Sequence, residues 1–116
     1  MKLKVELGLD LAVSAELLSN ERVRIYKGSE ALRNRQKTTG QPMVDRARLL
    51  RDDLIKAGVL VALVRDPDRL VFTQDIDFDT PTAAADIVFG ANKSGREFWK
   101  SSIDGKSLVE LFGPAR

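Results

Sequence analysis

The chain has no cysteine and no histidine among its 116 residues. The first absence excludes disulfides, thiolate metal sites and cysteine nucleophiles, and suits a reducing cytoplasm. The second removes the commonest general base and metal ligand, so any chemistry would fall to carboxylates, lysines and hydroxyls. Long apolar runs are missing too: nothing approaches the roughly 18 residues of a membrane span, and the opening MKLKVELGLD lacks the hydrophobic centre of a signal peptide. A cytoplasmic protein with no membrane partner is the expectation. Aromatics are sparse, with one tryptophan, one tyrosine and five phenylalanines, which makes the position of Trp99 informative.

What is present is ordinary for a small globular protein, 43% hydrophobic and 31% charged, and the length suits a single domain over 1–116. Net charge is only +2, but it is unevenly spread. From Arg22 to Gly58 ten basic residues face four acidic ones, whereas Asp66 to Gly90 holds six aspartates and one arginine. A basic face on a near-neutral chain is a candidate footprint for nucleic acid. The competing reading pairs the basic run with the acidic one in space.

Leu3, Val5, Leu7, Leu9, Leu11 and Val13 alternate with more polar positions, so the first segment reads as a strand with one apolar face. A turn at Ser19-Asn20 then returns a second strand, Val23 and Ile25 inward, which Gly28-Ser29 closes. Residues 34–41 are polar and aperiodic and read as a mobile loop, with Arg33, Arg35 and Lys37 beside or within it. Ala47, Leu50, Leu54 and Ala57 at helical spacing predict a helix from Val44 that ends at Gly58. Val59–Val64 and Leu70–Thr73 read as a hairpin joined through Arg65–Arg69.

The densest signals lie from Asp79 to Phe112. Thr80 can cap a helix, Pro81 suits its first turn and Ala83, Ala84 and Ala85 favour it, which predicts a helix from Pro81 to Phe89 ended by Gly90. A loop through Asn92 and Gly95 carries Lys93 and Arg96, Phe98-Trp99-Lys100 reads as extended, and Asp104-Gly105 as a turn. Ser107 with Glu110 has the spacing of a capping box for a last helix through Leu108, Leu111 and Phe112. Strands and helices thus mix without a βαβ rhythm, which predicts a small single α+β domain with β-hairpins and three short-to-medium helices.

Few residues suit catalysis. Asp75, Asp77 and Asp79 alternate and mimic the start of a calcium loop, but Thr80-Pro81 stands where that loop needs glycine and Asp86 where it needs glutamate. They read instead as a charged strand edge that discourages aggregation, with Ile76 and Phe78 inward. Glu97 and Lys100 flank Trp99 without a partner acid, and Trp99 reads as a core anchor more readily than as a base-stacking surface. No enzyme activity and no cofactor are expected.

The pieces Thr80-Pro81-Thr82-Ala83-Ala84-Ala85, Gly90, Ser94-Gly95, Trp99-Lys100 and Gly105-Lys106-Ser107-Leu108, with Tyr26–Ala31 and Leu50–Leu60 upstream, resemble a bacterial domain of unknown function often found C-terminal to GIY-YIG endonuclease modules and around restriction systems. The likeness covers about residues 13–112, and the Ala-Ala-Ala and Trp-Lys pieces are similar to the RAMA domain, a restriction- and methylase-associated module thought to read modified DNA. One departure is Ser94-Gly95 where that family has Asn-Gly. The resemblance implies a non-catalytic DNA-binding accessory of restriction, defence or DNA-processing enzymes. Expected partners are DNA, modified DNA included, and a nuclease or restriction-system protein. The alternative is a module that docks onto such a protein without touching DNA, through an exposed apolar patch such as the leucine-rich N-terminal arm. Lys93, Arg96, Lys100 and Lys106, around one loop and two helix ends, are the candidate DNA contacts, with Arg33, Arg35 and Lys37 as a second basic supply.

Overall fold

The computed structural model describes residues 1–5, 11–32, 42–89 and 98–113, and the side chains of all of these except 42–48 and 67. Among the described residues, eight short strands and three α-helices, with a 3-10 turn at Ser19–Glu21 between β2 and β3, follow in the order β1 (Lys2–Lys4), β2 (Ala15–Leu17), β3 (Val23–Ile25), β4 (Glu30–Leu32), α1 (Pro42–Lys56), β5 (Leu60–Leu63), β6 (Asp66–Phe72), β7 (Ile76–Phe78), α2 (Pro81–Phe89), β8 (Lys100–Ser101) and α3 (Leu108–Phe112). Two antiparallel sheets result: sheet A in the order β7-β3-β2-β1-β8, and sheet B in the order β4-β6-β5. The chain is therefore α+β, as its pattern predicts.

Sheet A is organised by the alternation of its strands. Leu3, Ala15 and Ile25 stand opposite one another across β1, β2 and β3, with Ile76 next on β7, and all are buried or packed against the core. The intervening positions, Lys2, Glu16, Arg24 and Asp77, form a second row on the other face. Helix α2 closes the core. Its buried residues Pro81, Ala84, Ala85 and Val88 recur at helical spacing, with Ile87 beside them, and their small side chains allow close approach to β3, β4 and β7. The Thr80 hydroxyl accepts from the Ala83 amide at 3.0 Å, the cap expected of that residue. Trp99 is 0% exposed, donates from Nε1 to the Pro81 carbonyl at 3.0 Å, and meets Phe98 edge-on at 5.0 Å between ring centres.

The third helix carries both halves of its capping box. Ser107 Oγ accepts from the Glu110 amide, and Glu110 Oε1 accepts from the Ser107 amide, each at 3.2 Å. Because Leu108 is the only buried residue of this five-residue helix, the cap supplies much of its stability. Ser107→Ala should cost about 1 kcal/mol in urea denaturation, and no measurable loss would show that the helix is held by packing alone.

Several expectations need correction. The first strand is only Lys2–Lys4, and it pairs with β2 on one side and β8 on the other. Residues 11–14 are not a strand, though Leu11 and Val13 pack on the core. The hairpin partner of β3 is β2, with the expected turn at Ser19–Glu21 between them. In sheet B the hairpin turn is Val64-Arg65, and Asp66–Arg69 belongs to β6, where a shift in register beyond Ala62 absorbs the extra residues. Phe98 and Trp99 lie outside any strand; β8 starts at Lys100.

Helix α1 ends as expected at Gly58, which adopts φ +77° while its amide donates to Ile55 and the Val59 amide to Leu54, the double bond pattern that glycine makes accessible at a helix end. Its buried face matches the expected stripe only in part: Leu54 packs on the core, and the side chain of Ala47 lies outside those described. Leu50 and Ala57 are exposed, whereas Arg51 is 3% exposed and donates to the Ile87 carbonyl in the last turn of α2. A guanidinium there meets carbonyls that have no helical partner and the negative end of the helix dipole. Leu7 and Leu9 of the expected first strand, the expected loop at 34–41 and the helix stop at Gly90 lie outside the described residues.

Candidate nucleic-acid interface

The arginines and lysines of this protein are used differently. Arg24 grips Asp77 with two hydrogen bonds, Nε to Oδ1 at 2.7 Å and Nη2 to Oδ2 at 3.1 Å, and Arg22 adds a contact at 3.8 Å. The two strands place this pair in direct register. The Arg24 hydrogen bonds hold the Asp77 carboxyl below its usual range and push the Arg24 guanidinium up. Arg65 and Arg69 both bind Glu30, at 3.2 and 2.9 Å, and Arg69 also reaches Asp66 at 3.3 Å. Part of the sequence-level imbalance is thus cancelled across strands, because Arg22 and Arg24 of the basic run meet Asp77 of the acidic run.

Lysines remain. Among the described residues Lys2, Lys4, Lys27, Lys100 and Lys106 make no ion pair with a carboxylate. Four of them gather at the β1–β8 end of sheet A. Lys4 stands directly opposite Lys100, and like charges in that position repel. Lys2 shares the face of Lys4, two residues earlier on β1. The Lys4 ammonium lies over the Asp104-Gly105 turn, 3.8 Å from where a Cβ on Gly105 would sit. That turn is built by the Asp104 carboxylate accepting from the Lys106 amide at 3.0 Å, and it leads the exposed Lys106 back beside β8.

Beside β1 runs a groove of about 640 Å³ whose described lining combines Lys2, Lys4, Lys27, Tyr26, Ser14 and Ser102 with the apolar Leu3, Val13 and Ala15. Its volume falls in the range, roughly 300 to 1,000 Å³, of sites that hold small molecules. Tyr26 is half-buried and donates from its hydroxyl to Glu16 Oε1 at 2.7 Å. The Tyr26 hydroxyl holds the Glu16 carboxyl below its usual range, and the same bond pushes the phenol up. Glu16 also lies in register with Lys2 on one side and Arg24 on the other, so its charge is answered locally.

Of the seven candidate contacts, the structure places Lys100 and Lys106 together at this end. Lys93, Arg96, Arg33, Arg35 and Lys37 lie outside the described residues. Lys2, Lys4 and Lys27, which line the adjoining groove, are not among the seven. The available signal was the alternation Lys2-Leu3-Lys4, which puts both lysines opposite a core leucine once the segment is paired. Two of the three alternating aspartates are engaged by the protein: Asp75 Oδ1 accepts from the Lys27 amide at 2.8 Å, and Asp77 binds Arg24, whereas Asp79 is exposed. Strand β7 is an edge of sheet A with Phe78 buried and Ile76 packed on the core, as its alternation predicts. Among the described residues no three carboxylates come together as a metal site, and no helix is long and apolar enough to cross a membrane.

A small α+β domain with two antiparallel sheets and an unpaired lysine cluster at one end is the class these observations define. The chain belongs to the DUF4357 family, a domain of unknown function, whose family model matches residues 9–111. No curated protein and no solved structure matches it. Strand β1, which brings Lys2 and Lys4 to the site, precedes the matched region.

Proposed function

We propose that this chain is a non-catalytic DNA-binding module that serves restriction, defence or DNA-processing enzymes. The observation that carries the reading is the lysine cluster: Lys4 and Lys100 face each other across β1 and β8 with Lys2 beside them, and among the described residues none of the three forms an ion pair, Lys2 alone having a carboxylate, Glu16, in register with it. Holding like charges together costs stability, and a phosphate backbone would relieve that cost by bridging them. The absence of histidine and cysteine, with Asp75 and Asp77 engaged by the protein, favours binding over catalysis. The likeness of the Thr80–Ala85 and Trp99-Lys100 pieces to GIY-YIG-associated and RAMA-like domains supports the setting in restriction systems, and methylated DNA belongs among the ligands to be tried. Lys93, Arg96, Lys106, Arg33, Arg35 and Lys37 would extend the contact.

Titration of labelled DNA over a range of salt tests this. Affinity should fall steeply with salt, and the Lys2/Lys4/Lys100→Gln triple variant should bind weakly, with its salt slope reduced by up to about 3 and its melting temperature no lower than the parent's, since the repulsion between Lys4 and Lys100 is relieved. Salt-insensitive binding, or a triple variant that binds like the parent, would reject the placement. A second reading rests on a separate observation: helix α1 exposes Leu49, Leu50 and Ile55, at 64%, 39% and 42%, beside a groove lined by Leu50, Leu54, Phe78 and Ala83. That face suits docking onto a protein partner, and it would be favoured by failure to bind any DNA.

A further inference from the structure

Sheet A turns Leu3, Ala15 and Ile25 to the core and carries Lys2, Lys4, Lys100 and Arg24 on its other face. We infer that this face takes single-stranded DNA in preference to duplex, with a base against the Tyr26 ring and the backbone on Lys2, Lys4 and Lys100; the inference rests on the DNA-binding reading above and names its ligand. The first argument is size. Five strands at their usual spacing of about 4.8 Å make a surface about 19 Å across, whereas the major groove is about 12 Å wide and admits a helix or a two-stranded ribbon. An undistorted duplex would therefore meet this face through its phosphates, and would offer Tyr26 no unpaired base to stack on.

The second argument is the chemistry of the groove beside β1. Its wall combines three lysines with an aromatic ring and two serine side chains, the pairing of backbone charge and stacking surface that suits unpaired nucleotides. A base inside a duplex has both faces covered by its neighbours. An unpaired base offers one to a side chain. The ring of Tyr26 is held ready for that contact, because its hydroxyl is bound to Glu16 and the Tyr26 amide donates to the Ser14 carbonyl at 2.9 Å. Little side-chain freedom is then left to lose on binding. Lys4 and Lys100 continue the same face away from the ring, which gives the strand a direction of travel from β3 across β1 to β8.

Fluorescence anisotropy with one mixed-sequence oligonucleotide, single-stranded and annealed, decides the matter. The parent should bind the single strand more tightly than the duplex at equal salt. Tyr26→Leu, which keeps apolar bulk on the strand, should weaken single-strand binding by about 5- to 150-fold, the range that one stacked base represents. Tyr26→Phe, with the ring restored, should recover most of that loss. Circular dichroism on both variants separates lost binding from lost fold, and if Tyr26→Leu does not fold, the parent's preference and the Tyr26→Phe titration still decide. Equal or tighter binding of duplex by the parent overturns the inference and leaves the DNA reading standing. Undiminished single-strand binding by Tyr26→Leu, or a loss in Tyr26→Phe as large as that in Tyr26→Leu, also overturns it. No binding of either form at low salt rejects both.

Discussion

Trp99→Ala is expected to lower the stability of the fold by about 3 to 5 kcal/mol, a large share of the roughly 5 to 15 kcal/mol available to a domain of this kind. The side chain is fully enclosed and holds the core together through two contacts of its own and one of its neighbour. Its Nε1 binds the carbonyl of Pro81, the first residue of α2; its ring packs edge-on against Phe98; and Phe98 in turn meets Phe89, the last residue of α2, at 6.2 Å. The tryptophan and its neighbour therefore clasp both ends of the helix that closes the core. Removal leaves a cavity larger than a short chain can refill, together with one fewer donor for the Pro81 carbonyl. Trp99→Phe retains the ring contact and should lose less. Urea denaturation of both variants measures the difference, with an unchanged dependence on denaturant showing that the unfolded state is the same. A Trp99→Ala protein that keeps its stability and loses only DNA binding would place this residue in the interface after all.

The parts of the fold that were legible beforehand are those specified by neighbours in sequence. Helix α2 runs from Pro81 to Phe89 because Thr80, Pro81 and the alanines act within one or two turns, and α3 begins at Leu108 because Ser107 and Glu110 cap each other three residues apart. What was not legible depends on partners distant in the chain. Strand β1 is only three residues long and owes its place to Ala15–Leu17 and to Lys100–Ser101, close to a hundred residues away. Alternation alone therefore could not say where the strand stopped or that Lys4 would face Lys100. Arg51 sits inside because the end of α2 offers a carbonyl to it, which no count of apolar residues along α1 could reveal. The candidate site follows the same division: Lys100 and Lys106 lie beside a turn and a cap that neighbours in sequence specify, whereas Lys2 and Lys4 are brought to them by sheet pairing.

Glu30 gives the second large effect, and its sign is set by its surroundings. The side chain is 8% exposed on β4, and burial pushes its carboxyl up. The Ala12 amide at 3.3 Å, Arg69 at 2.9 Å and Arg65 at 3.2 Å favour the charged form, and together they outweigh burial and hold the carboxyl below its usual range. A carboxyl lowered in the folded state contributes stability that is present above the ordinary carboxylate range, roughly pH 4, and is lost as pH falls through the lowered value. Glu30→Gln should accordingly cost about 1 to 3 kcal/mol at neutral pH, since the Arg69 guanidinium, 22% exposed, and the Ala12 amide then face a neutral group. The gap between parent and variant should close as the solution is made more acid. Glu16 and Asp77 are lowered as well, so both proteins will weaken below pH 4, and only the difference between their curves reports Glu30. Melting temperatures of the pair from neutral pH down to about pH 3 supply that difference; a gap that stays constant would mean that Glu30 acts through packing and not through its charge.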